Sequence, residues 1–170
     1  VSETIAIPAK LMVCDFVNGN NNPDIDWMKA AVADMSITDL AQCSFLTVIS
    51  REELRRKLKE LQISSENCNA DFQKAADVFN ADMVLQGTVV KVGSSIRIDI
   101  QLLAARSGEI LLSENATEKE DVFLNAIDSL SKRLRTRIAA MLKKHNPDAD
   151  EHMFASADLS LEEQLFISPS

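Results

Sequence analysis

The chain has no tyrosine, one tryptophan (Trp27) and only two histidines, His145 and His152, in 170 residues. Without phenols one common proton donor is missing, and histidine-assisted chemistry has little to work with. Cysteine is scarce as well. Cys14, Cys43 and Cys68 are odd in number and lack metal-ligand spacing, which argues against a disulfide framework and a metal cluster. They read as small buried hydrophobes, although a single bridge with one thiol left over stays open. Glycines stand singly, so no glycine-rich phosphate loop exists, and Gly87, Gly93 and Gly108 are expected in turns or bulges. No apolar run reaches transmembrane length and no signal peptide is visible. The chain opens at Val1 rather than methionine, as expected of a processed or excised piece whose membrane anchor, if it has one, lies outside it.

Positive charge is also in deficit. A net charge of −8 and a pI near 4.8 argue against nucleic acid or an anionic membrane as the main partner, since either requires a field of opposite sign. What is present is apolar. With 46% hydrophobic residues the chain can build one proper core, which predicts one α/β domain over residues 1–144 and an acidic linker or tail over 145–170.

The clearest pattern runs from Asn80 to Ala116. Ile96, Ile98, Ile100 and Leu102 alternate with Arg97, Asp99 and Gln101, the period of a strand with one buried face. Gly93-Ser94 before it and Arg106-Ser107-Gly108 after it are turn signals, so three strands are expected to fold back as an antiparallel meander.

Upstream, the apolar run 5–17 reads as a strand buried on both faces, with Pro8 placing its start near a sheet edge. A helix follows from Asp24 or Asp26 to Cys43, with Asp26 as its cap and Trp27 as an anchor against the sheet. Phe45 to Ile49 is a second strand. Ser50-Arg51-Glu52-Glu53 has the capping-box pattern and opens a helix with Leu54, Leu58 and Leu61 inward and Arg51, Arg55, Arg56, Lys57 and Lys59 on its wet side. Ser64 to Asn80 is a third helical stretch, Glu118 to Asp121 a solvated connection, and Val122 to Lys144 the longest helix. Beyond Pro147, Ser160 to Phe166 could begin another helix.

Reactive groups do not converge in this sequence. His145, Asp148, Asp150, Glu151 and His152 lie on a proline-containing segment with nothing to hold ligand geometry. Asp82, Asp99 and Glu109 could pair as acid and base, but carboxylates at strand ends are usually solvated. No catalytic, cofactor or metal residue is therefore assigned. The basic residues of the second helix are candidates for contact with an acidic protein, as is Trp27, and an open sheet edge is an alternative docking surface.

The order of elements, with the stretches 27–40, 46–54, 81–89, 96–103 and 107–111, resembles the family built on the TolB amino-terminal domain. That family includes the curli-secretion lipoprotein CsgG, flagellar accessory lipoproteins and lipoprotein activators of peptidoglycan synthases. The resemblance covers about residues 5–144 and implies a mixed α/β sheet with helices packed on it and no catalytic residues. It implies an interaction or assembly module, envelope-associated or periplasmic, or cytoplasmic as part of a larger regulator. Barrel-forming hairpins are not visible, so a pore is not implied. The alternative function is a small-ligand sensor regulating an attached kinase or cyclase.

Overall fold

The computed structural model describes residues 5–64, 68 and 70–157. Strands β1 (Ala9–Val13), β2 (Val17–Asn18), β3 (Leu46–Val48), β4 (Met83–Val92), β5 (Ser95–Ala104) and β6 (Ile110–Lys119) form one mixed sheet in the order β3-β1-β4-β5-β6, with the short β2 beside β4. β1 runs parallel to β3 and β4, and β4, β5 and β6 are the expected antiparallel meander. Gly93, at φ +62°, makes its first turn, and Gly108, at φ +76°, lies in its second. Helices α1 (Met28–Leu40), α2 (Arg51–Glu60), α3 (Phe72–Phe79) and α4 (Phe123–His145) pack on the two faces.

Side-chain alternation divides the interior into two cores. On one face Leu11, Val13, Met83, Leu85, Ile96, Ile98, Ile100 and Leu102 meet the apolar stripes of α1 and α4. On the other Met12, Cys14 and Val84 meet Leu54, Leu58, Ala75, Ala76 and Phe79 from α2 and α3. β1 is thus buried on both sides, as its near-continuous apolarity predicts. The second core ends early. Gln86, Thr88, Arg97, Asp99, Gln101, Ser113, Asn115 and Thr117 share the outer face of the meander by register, and all stay exposed or half-exposed.

Several expectations need correction. β1 lies in the middle of the sheet, and Pro8 precedes it, so proline is excluded from the ladder without the strand being an edge. Asp26 does not cap α1; its carboxylate pairs with Lys29 at 2.9 Å, and Lys29 with Asn18 holds it below the usual carboxylate range. Trp27 is 59% exposed and meets Phe123, at the start of α4, edge-on at 5.7 Å between ring centres, rather than anchoring α1 to the sheet. α3 begins at Phe72, and Glu118 and Lys119 belong to β6. Gly87 is neither in a turn nor, by register, at a bulge. It sits mid-strand, where an added Cβ would lie 2.0 Å from the Asp99 carbonyl oxygen and 2.8 Å from Phe16.

The acidic extension folds back on the domain. A 3-10 helix at Glu151–Ala157 brings Phe154, only 6% exposed, against Phe45 with ring centres 5.5 Å apart, and Lys143 meets Glu151 at 3.1 Å. The helix expected at Ser160 to Phe166 lies outside the described residues.

Candidate functional site

α2 forms where the sequence places it. Ser50 has extended backbone and its Oγ accepts from the Glu53 amide at 3.2 Å, while Glu52 and Glu53 occupy the first turn and Lys57 and Lys59 the last. Leu54 and Leu58, each 4% exposed, hold the helix to the second core. That turns Arg55, Arg56 and Lys59 outward, where all are exposed and, among the described residues, without an ion pair. Lys57 is half-buried and meets Glu60 at 3.2 Å.

Arg51 departs from the expected wet face. Its side chain is 11% exposed, and the guanidinium pairs with Asp15, beyond the end of β1, and at 2.9 Å with Asp34 of α1. Burial, and then the charge of Arg55, lower its pKa. Arg51 therefore fixes the start of α2 against two neighbouring elements. Trp27 belongs to the α1–α4 layer, so the sheet separates it from the outward cations of α2.

The sheet edge is partly closed. A two-residue turn closes on a hydrogen-bonded pair, here Val92 and Ser95, so even-numbered residues of β5 bond toward β6. Ser113, Asn115 and Thr117, opposite odd-numbered partners, must then point their backbone groups outward. Two of those carbonyls are taken: Arg137 donates to Ser113 O at 2.8 Å and Arg133 to Asn115 O at 3.0 Å. Glu114, 12% exposed, holds both guanidiniums, at 3.0 Å to Arg133 and 2.6 Å to Arg137. The β6 edge is thus clamped by α4 over these residues, and β3 forms the other edge. Arg133 and Arg137, one turn apart, were the available signal.

Of the three candidate acids, Asp99 stands apart from the other two. Asp82 Oδ2 accepts from the Lys10 amide at 2.8 Å and so ties β1 to the start of β4. Asp99 pairs with Arg97 at 2.9 Å in mid-strand, ~16 Å along β5 from the end where Glu109 O accepts from Ala104 N. Among the described residues no three His, Cys, Asp or Glu side chains are grouped to hold a metal ion. An open cleft of about 820 Å³ runs between the start of β6 and the end of α4, lined by Glu109, Ile110, Leu111, Met141, Lys144 and His145 among others. No helix of the described residues is long and apolar enough to cross a membrane.

No family model matches the sequence, and no curated protein matches it. Solved structures do resemble the fold. The lipoprotein GNA1162 from Neisseria meningitidis superposes with a TM-score of 0.56 at 17% identity, over 84% of this chain and 100% of that one. The LpoB C-terminal domain from Salmonella enterica gives 0.54 at 15% identity, over 70% of this chain and 88% of that one. TolB from Acinetobacter baumannii gives 0.53 at 14% identity, over 82% of this chain but 30% of the longer TolB chain. The fold is TolB-like and LpoB-like. Similarity to CsgG in particular is not among these findings.

Proposed function

We propose that this chain is a non-enzymatic bacterial protein-binding module of the cell envelope, which docks an acidic surface of a partner protein on Arg55, Arg56 and Lys59. The observation that carries this reading is the state of those cations. They stand outward within two turns of one helix, without ion pairs among the described residues, in a chain of net charge −8. Three other helix arginines are engaged internally: Arg51 at Asp15 and Asp34, Arg133 and Arg137 at Glu114. A basic patch on an acidic protein steers one class of partner and repels most others.

Three further points support the reading. Asp99 lies apart from the other candidate acids, the fold is that of GNA1162, LpoB and TolB, and GNA1162 is itself named a lipoprotein. The domain is taken as residues 1–144, with the acidic extension from 145 as its appendage. Arg51 acts by orienting α2, and Trp27, across the sheet, lies outside the contact.

A photo-crosslinking residue at position 56 or 59 is expected to capture a discrete acidic protein in the cells that make this chain. The double variant R55E/R56E, at unchanged Tm, should then weaken binding of that purified partner about tenfold or more and flatten its salt dependence. Unchanged affinity and salt slope would overturn the docking site.

A further inference from the structure

Two 3-10 turns, Pro23–Ile25 and Glu120–Val122, lead into α1 and α4 at one end of the first core. Lys91, near the end of β4, joins them: its Nζ lies 3.1 Å from Glu120 and 3.9 Å from Asp24. Trp27, after the first turn, meets Phe123, after the second, edge-on. The beginnings of the two helices are therefore neighbours.

Apolar side chains are left uncovered there. Phe123 is buried, whereas Trp27 and the two residues that flank Phe123 in the chain, Val122 and Leu124, are exposed, Leu124 by 57%. Scattered apolar side chains need no explanation, but a tryptophan uncovered together with its apolar neighbours marks a contact surface. Tryptophan brings a large, rigid apolar area with few torsions to freeze, so covering it contributes more to a protein contact than covering most side chains does.

The surroundings are acidic. Among residues 24–29, 91 and 119–128, five carboxylates stand against three lysines. Lys29 answers Asp26 at 2.9 Å, and Lys91 lies between two acids. Asp121 and Asp128 are exposed and without an ion pair among the described residues, and Asp128, one turn beyond Leu124, shares its face of α4. Beside them is an open hollow of about 510 Å³, lined by Ser94, Lys119, Glu120 and Asp121. An uncovered apolar centre with excess negative charge around it complements a basic partner and disfavours acidic ones and anionic membranes.

We propose that this end is a second docking surface, which takes a segment of a partner protein whose apolar side chains are flanked by lysine or arginine. The apolar side chains cover Trp27, Val122 and Leu124, and a cation enters the hollow at Glu120 and Asp121. Trp27 and the outward cations of α2 lie on opposite sides of the sheet, so this surface binds whether or not α2 is occupied.

Trp27 is the only tryptophan and the chain has no tyrosine, so its fluorescence reports this end alone. An amphipathic helical peptide of leucine and lysine, added to the whole chain, should shift Trp27 emission to the blue and cut its quenching by acrylamide about twofold or more as the indole is covered. The same peptide with glutamate in place of lysine should do neither. L124S and E120Q/D121N, at unchanged Tm, should each weaken the lysine peptide about threefold or more, and the second should also flatten its salt dependence. R55E/R56E should bind it as the wild type does.

Unchanged emission, an equal response to the glutamate peptide, or wild-type affinity in L124S or E120Q/D121N would overturn the proposal. Loss of the response in R55E/R56E would place the contact on α2 instead, and an equal blue shift from phosphatidylcholine vesicles would make this end a membrane contact; either would overturn it too. The comparison of the two peptides on the wild type does not depend on any variant folding.

Discussion

At Gly87 the backbone of β4 passes so close to β5 that the neighbouring carbonyl of Asp99 occupies the place of a side chain. No rotamer relieves that contact, because the obstacle is backbone rather than a flexible tip. G87A should therefore lower stability by about 1–3 kcal/mol or more, read as a fall in denaturant midpoint. Gly93 is the internal contrast: it needs its positive φ, but an added Cβ meets nothing within 4 Å, so G93N should stay within about 0.5 kcal/mol of wild type. Arg51 follows the same logic. Its neighbours, Asp15, Asp34 and Cys68, come from three separate segments, which is why a helical-wheel reading placed it in water.

At the scale of elements, the clamp of α4 on β6 joins a helix to a sheet edge through charge-assisted bonds to Glu114 and to two outward carbonyls. Unpaired edge groups invite another strand, so occupying them disfavours association through the edge. A double-mutant cycle on E114Q and R137A should give a coupling of about 0.5–1 kcal/mol, modest because both arginines are nearly half exposed. The E114Q variant, its arginines loosened, should show more concentration-dependent self-association by analytical ultracentrifugation than the wild type. Equal association in both would mean that the clamp does not protect the edge.

For the whole molecule, the segment after α4 closes one end of the first core. Phe154 stands in an acidic stretch, and it covers Phe45, which is itself fully buried. F154A should cost about 3–5 kcal/mol if the cavity stays open, and less if Met153 fills it. Limited proteolysis near Asp148 should accelerate in the same variant as the strap detaches. A loss below about 0.5 kcal/mol with unchanged proteolysis would show that the extension contributes nothing to the fold.

By itself the sequence determined the meander, the strand buried on both faces, the capped α2 and the apolar stripe of α4. These depend on periodicity, turn chemistry and caps, which act over a few residues and can be read without knowing the rest of the chain. Tertiary structure alone decided that Arg51 turns inward, that Arg133 and Arg137 close an edge, and that Phe154 returns to the core. Each of those contacts joins residues from separate elements, and their partners are chosen by how the helices pack on the two faces of the sheet, a long-range outcome that no local pattern encodes.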